Sequence, residues 1–174
     1  MFERKTPRKN RITRAFKAQA IVEFAIVLPI LLVVIIGMLE VGRYILIYSA
    51  ATNASRNASR YASAVGAADG TAGLTKYNYC YGIKKTALDS AYMVPDSSIS
   101  VSIDYINGAD TKISECNLWN VGQVDPDYKY KTGDRVKVTV TIPYSPMVRF
   151  VRFDTRPIIS SSSRTILGII KIDD

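Results

Sequence analysis

No histidine occurs anywhere among the 174 residues. Its absence removes imidazole as a general base near neutral pH, as a metal ligand, and as the partner of a serine or cysteine nucleophile. A Ser-His-Asp hydrolase is therefore excluded. Carboxylates offer no ready substitute. Asp125, Asp127 and Asp134, with Asp110 and Glu115 nearby, are the densest acidic group. Their DPDYKYKTGD spacing does not match an EF-hand calcium loop, and Lys129 and Lys131 oppose a cation there, so the segment reads as a solvated turn. Paired carboxylates for glycosidic chemistry need a cleft, of which so small a chain gives no sign. The sequence predicts no enzyme, no cofactor and no metal site.

Acidic residues are also scarce at the start. Residues 1–17 hold Arg4, Lys5, Arg8, Lys9, Arg11, Arg14 and Lys17 against Glu3 alone, which supplies +6 of the chain's net charge of +8. The basic excess is thus local. No stacking platform or phosphate-binding loop is interleaved with it, so nucleic acid is not an expected partner. Basic residues flanking an apolar run set topology instead, and the positive-inside tendency puts this end in the cytoplasm.

That apolar run is the most informative stretch of the chain. From Ala18 to Ile36 it reads AQAIVEFAIVLPILLVVII and contains one charge, Glu23, near its mouth. A carboxylate next to hydrocarbon is costly enough to need a partner or a task, with a headgroup-level resting place as the bland alternative. The densest apolar part, residues 24–39, is a little short of the roughly 20 residues that span a bilayer; adding 20–22 and Val41 makes up the length. Pro29 would break a helix in water but is tolerated in a membrane helix. Beyond Glu40 the segment YILIYSAATNASRNASRYASA sets Tyr44, Tyr48, Ala51, Ala58 and Ala62 near helical spacing, with Asn53, Arg56, Asn57 and Arg60 on the polar faces. It reads as the same helix emerging into water, running from about Ala20 to Ala64 over roughly 65 to 70 Å. Its Ala- and Ser-rich half is expected to dock on the domain C-terminal to it. The NAS triplets at Asn53 and Asn57 read as solvated helix positions rather than glycosylation acceptors.

Glycines 66, 70, 73 and 82 mark a loop, after which IKKTALDSAYM places Ile83, Ala87, Leu88 and Ala91 on one face of a short helix that stops before Pro95. Strict alternation then predicts strands. Ile99, Val101, Ile103 and Tyr105 alternate with Ser98, Ser100, Ser102 and Asp104; Val136, Val138, Val140 and Ile142 alternate with Arg135, Lys137, Thr139 and Thr141. Between them lies a polar loop with Cys116 and Trp119. After the proline-interrupted PYSPMVRFVRFDTRP, residues 158–167 form a weaker strand with a serine-rich middle. The expected fold class is α+β: a long N-terminal helix, membrane-spanning in its first half, packed on a small antiparallel sheet of three or four strands. The expected division is a basic leader at 1–18, the helix at 19–65 with its span at about 20–41, and an extracytoplasmic domain at 66–174. Cys80 and Cys116 both fall beyond the membrane from the leader. In an oxidising compartment their pairing would be a structural disulfide; two separate thiols are the alternative.

The run AQAIVEFAIVLPILLVVIIGMLEVGRYILIYSAATNASRNASRYA resembles the N-terminal signature of TadE-like proteins, minor pseudopilins of the Tad (Flp, type IVb) pilus. Val22-Glu23-Phe24, Leu28-Pro29, the block from Gly37 through Arg43, and Arg60-Tyr61-Ala62 follow the family order. The resemblance implies a membrane-anchored, non-catalytic assembly protein, cut on the cytoplasmic side by a prepilin peptidase with Glu23 fifth in the mature chain. Ala18 would then end the leader and Gln19 begin the product; the family more often has Gly before the cut, so Ala18 is a departure. Glu23 and Phe24 would serve peptidase recognition, or Glu23 would pair with a neighbour's new amine. Implied partners are the lipid bilayer, the peptidase, a sister pseudopilin of TadE or TadF type, and the major Flp pilin. The implied location is the bacterial cytoplasmic membrane, C-terminal domain outside. Two other readings remain: an uncleaved single-pass protein with an exported ligand- or partner-binding domain, and a secreted protein cut by signal peptidase near Ser49 to Ala51.

Overall fold

The computed structural model describes residues 11–66, 68, 75–116, 133–147 and 156–167, with side chains from Gln19 onward. Trp119, Asp125, Asp127, Lys129 and Lys131, and the leader residues before Arg11, lie outside the described residues. Among those described, the elements are α1 (Arg11–Ser63), α2 (Cys80–Ser90), β1 (Ser100–Ile106), β2 (Lys112–Glu115), β3 (Arg135–Tyr144) and β4 (Arg156–Thr165), with single 3-10 turns at Lys76–Asn78 and Asp96–Ser98. The chain divides into two compact units, Met1–Gly42 and Arg43–Asp174.

In the first unit the helix passes through Pro29. Proline has no N–H to give the Ala25 carbonyl, a loss that neighbouring helices, waters or side chains make good in membrane helices. Ile21, Val22, Phe24, Ile30, Val33, Met38 and Leu39 are all exposed. Among the described residues of this unit none is buried, and its apolar surface calls for an apolar medium.

The second unit is an antiparallel sheet in the order β2-β1-β3-β4, with helix on one face. The alternation read from sequence sets its inner face. Val101 lies opposite Val140, Ile103 opposite Val138, and Tyr105 opposite Val136; all six are buried, as is Ile142 facing Ile158 across β3 and β4. Ser102, Asp104, Lys137, Thr139 and Thr141 on the other face remain half-exposed. From α1, Ala51, Ala54, Ala58 and Ala62 pack into this core, and from α2, Ile83 and Ala87.

The serine-rich strand is where the pattern carries meaning beyond hydropathy. Ser160 and Ser162 of β4 share the inner face with Ile158, and opposite them on α1 stand Ser55 and Ser59, both buried. The hydroxyls meet in pairs, Ser55 with Ser160 at 3.1 Å and Ser59 with Ser162 at 2.9 Å. Ser55 Oγ donates to the Thr52 carbonyl and Ser59 Oγ to that of Arg56. Each helix serine has therefore spent its proton on its own backbone, so Ser160 and Ser162 are the donors between elements. Low apolar content in β4 is thus a matched polar seam.

One expectation needs correction. Residues 112–115, read as polar loop, form β2, paired with β1 through Asp104 opposite Glu115 and Tyr105 opposite Ser114. The hairpin is closed by Asn107, whose Oδ1 accepts from the Ala109 and Thr111 N–H groups. Lys112 fastens the pair, 2.7 Å from Asp104 and 2.9 Å from Glu115. Those two hydrogen bonds, the Asp104 one foremost, hold its pKa above the ordinary lysine value. Proline also reaches into the strands. Pro143 of β3 faces Pro157 of β4, a register in which two residues lacking N–H lose nothing only if their outward sides need no ladder partner, as beyond the end of β1 and at a sheet edge.

Candidate functional site

Gln19 and Glu23 stand one helical turn apart on α1, so their side chains share a face. Gln19 Nε2 donates to Glu23 Oε1 at 3.0 Å, and both residues are exposed, as is Phe24. Of the residues read as a processing site, these three are thus adjacent. Ala18 falls within α1, but its side chain lies outside the described residues. The amide–carboxylate contact gives Glu23 a neutral donor at the entrance to the apolar run, easing its desolvation without cancelling its charge.

From Gln19 onward α1 is long and apolar enough to cross a membrane. Added Cβ atoms at Gly37 and Gly42 would meet nothing within 4 Å. Among the described residues neither glycine is required by a close contact, which leaves these two positions of the Gly37–Arg43 block room for close approach by a neighbouring helix.

Where the second unit begins, Arg43 anchors the helix to the end of β3. Its Nη1 donates to the Ser145 carbonyl at 3.1 Å, and its guanidinium lies 5.5 Å from the centre of the Tyr144 ring. Tyr44 meets the same ring edge-on, at 5.3 Å between centres. The sequence marked Arg43 as part of a motif block; its structural partner a hundred residues away was not legible there. Ala50 and Ala51, within the proposed signal-peptidase site, are buried inside an unbroken helix. In the folded chain this segment is helical, with Ser49 exposed.

Cys80 opens α2 and Cys116 follows β2, with Cα atoms 5.9 Å apart, in the range that a disulfide requires. The pair ties the helical layer to the outer hairpin. Tyr105 Oη lies 3.4 Å from Cys116 Sγ and donates to the Tyr77 carbonyl, sealing the junction. Of the acidic residues considered for calcium, Asp110 pairs with Arg135 at 3.3 Å and Glu115 with Lys112, while Asp125 and Asp127 lie outside the described residues. Among the described residues, no group of three or more His, Cys, Asp or Glu side chains is placed to hold a metal.

Residues 18–60 match the family model described as TadE-like protein. No curated protein and no solved structure matches the chain. The matched segment covers the helix from Ala18 through Arg60 and contains Val22-Glu23-Phe24, Leu28-Pro29 and the Gly37–Arg43 block, the residues that carry the resemblance. The match makes this helical segment similar to TadE-like proteins and leaves the rest of the chain unmatched.

Proposed function

We propose that the chain is a minor pseudopilin of TadE or TadF type that takes part in assembly of a Tad/Flp type IVb pilus. It is held in the cytoplasmic membrane by residues 20–41, with the basic leader inside and residues 66–174 outside. A prepilin peptidase removes residues 1–18, leaving Gln19 at the new N-terminus. The observation that carries this reading is the family match over 18–60, a segment that includes Glu23 at the mouth of the apolar helix. After cleavage the Gln19 amine and the Glu23 carboxylate of neighbouring subunits offset each other's desolvation. A disulfide between Cys80 and Cys116 fits an oxidising compartment and hence the same orientation.

The domain contributes no chemistry of its own and acts as a folded partner for a sister pseudopilin and for the shorter major pilin. Deleting the gene and complementing it with either the parent chain or Glu23→Ala tests the role. Surface pili recovered by shearing should return with the parent and not with the variant, although both accumulate in the membrane. Equal piliation in the deletion strain would contradict the proposal.

A further inference from the structure

The two edges of the sheet are built differently. β2, at one edge, is four residues long, carries Lys112, and shifts its register with β1 between Tyr105 and Ile106. Shortness, an irregular register and a lysine are devices that keep a strand edge from pairing with another chain. β4, at the other edge, has none of them across its middle. It pairs with β3 without a break from Arg156 to Thr165, and residues 158–163 read IISSSS, with no charge and no proline.

Register sets which backbone groups of β4 face outward. Ile166 donates its N–H to the Asp134 carbonyl at 2.8 Å, and in an antiparallel ladder the bonded pairs recur at every second residue. Residues 158, 160, 162 and 164 therefore bond to β3, whereas the N–H groups of Ile159, Ser161, Ser163 and Thr165 point away from the sheet. Pro157 falls in the outward set, where its missing N–H breaks no bond with β3. Among the described residues nothing bonds to these outward groups.

Charge selects the kind of strand this edge accepts. Ser55 and Ser59 set one flank of α1 over β4, while Asn57 on the opposite flank reaches Ser90 of α2. At about 100° per residue, Arg56 lies beyond the two serines on the β4 side, turned toward solvent. Arg156 and Arg164 stand near the two ends of β4 on its helix-facing side, and all three arginines are exposed. Neither β4 nor α1 from Arg43 to Ser63 contains an acidic residue. A second copy paired here would crowd the same arginines together, like charge against like. We propose that the free edge of β4 accepts an extended, acidic segment of a partner protein as an added strand, its backbone bonded to residues 159–165 and its carboxylates facing Arg56, Arg156 and Arg164. The proposal stands independently of the pilus reading.

The full chain in nonionic detergent micelles, isotope-labelled for NMR, tests it with synthetic peptides. The probe is a short peptide alternating valine with glutamate; the controls carry lysine for glutamate, or a methylated backbone. Before peptide is added, the amides of Ile159, Ser161, Ser163 and Thr165 should exchange with solvent faster than those of residues 158, 160, 162 and 164. The glutamate peptide should slow that exchange and bind about tenfold more tightly than either control. Ser161→Pro removes one outward donor and should weaken binding by about tenfold. Arg56→Glu combined with Arg164→Glu leaves the backbone edge intact and should turn the preference toward the lysine peptide. Outward amides already protected in the free monomer overturn the proposal, because the chain then covers its own edge. Protection that grows with protein concentration, without peptide, means a second copy and also overturns it. So does binding indifferent to peptide charge or backbone methylation, or no binding at about 1 mM peptide.

Discussion

Replacing Ser59 probes how the long helix is held to the sheet. Its hydroxyl is fully buried, donates to the Arg56 carbonyl and accepts from Ser162. Ser59→Ala leaves the Ser162 proton without its acceptor, a loss of about 1 kcal/mol, partly offset by about 0.5 kcal/mol of improved helix propensity. Ser162→Ala costs about 1 kcal/mol, because Ser59 still satisfies its own donor. Removing both leaves no orphaned group, so a double-mutant cycle should give a coupling of about 1 kcal/mol. Ser59→Leu is a different perturbation. It forces extra bulk between α1 and β4 and should cost about 2 to 4 kcal/mol, from overpacking together with the stranded hydroxyl. The assay is thermal unfolding of the full chain in detergent micelles followed by near-UV circular dichroism, where 1 kcal/mol moves the midpoint by about 4 °C. Strictly additive single substitutions, or a Ser59→Leu variant as stable as the parent, would refute the seam as the reason for serine in β4.

Other consequences arise from particular contacts. Reducing the Cys80–Cys116 bridge, or replacing both cysteines with serine, should cost about 4 kcal/mol by the chain-entropy estimate for a separation of 36 residues; unfolding with and without reductant measures it, and no shift in midpoint would argue for two free thiols. Gly82→Ala should destabilise by about 1 to 3 kcal/mol, because the new methyl would lie 2.3 Å from the Tyr79 ring and 2.8 Å from the Tyr61 hydroxyl. Gly108→Ala, with nothing within 4 Å, is the control and should be nearly neutral. Lys112 has a raised pKa in the fold, so its contribution is complete below the ordinary lysine value of about 10.4 and is lost as pH rises through the higher folded value. Comparing the alkaline unfolding profile with that of Lys112→Met checks the sign, since the variant should lose the decline that the lysine causes.

Two kinds of pattern were legible in the sequence. Period-two alternation from Ile99 to Tyr105 and Val136 to Ile142 located the central strands, because burial on one face leaves every second residue apolar. The uninterrupted apolar stretch with Ala- and Ser-rich continuation located the long helix, including its passage through Pro29. β2 was missed because an edge strand of four residues with one apolar side chain has no alternation to read; the Asn107-Gly108 turn signal was the available clue. β4 looked weak because hydropathy counts a serine as polar whether it meets water or another hydroxyl, and the helix serines opposite Ser160 and Ser162 are a hundred residues away. The same separation hid the partner of Arg43. Of the processing site, Glu23 stood out by charge alone, whereas the hydrogen bond from Gln19 needed the helix.

The most direct test of the pseudopilin reading is the intact mass and N-terminal sequence of the membrane-fraction protein, produced with and without its cognate prepilin peptidase. The account expects a chain beginning at Gln19 only when the peptidase is present, and a Glu23→Ala product whose processing or assembly is impaired. A chain that still begins at Met1 beside an active peptidase would contradict it and favour an uncleaved membrane anchor.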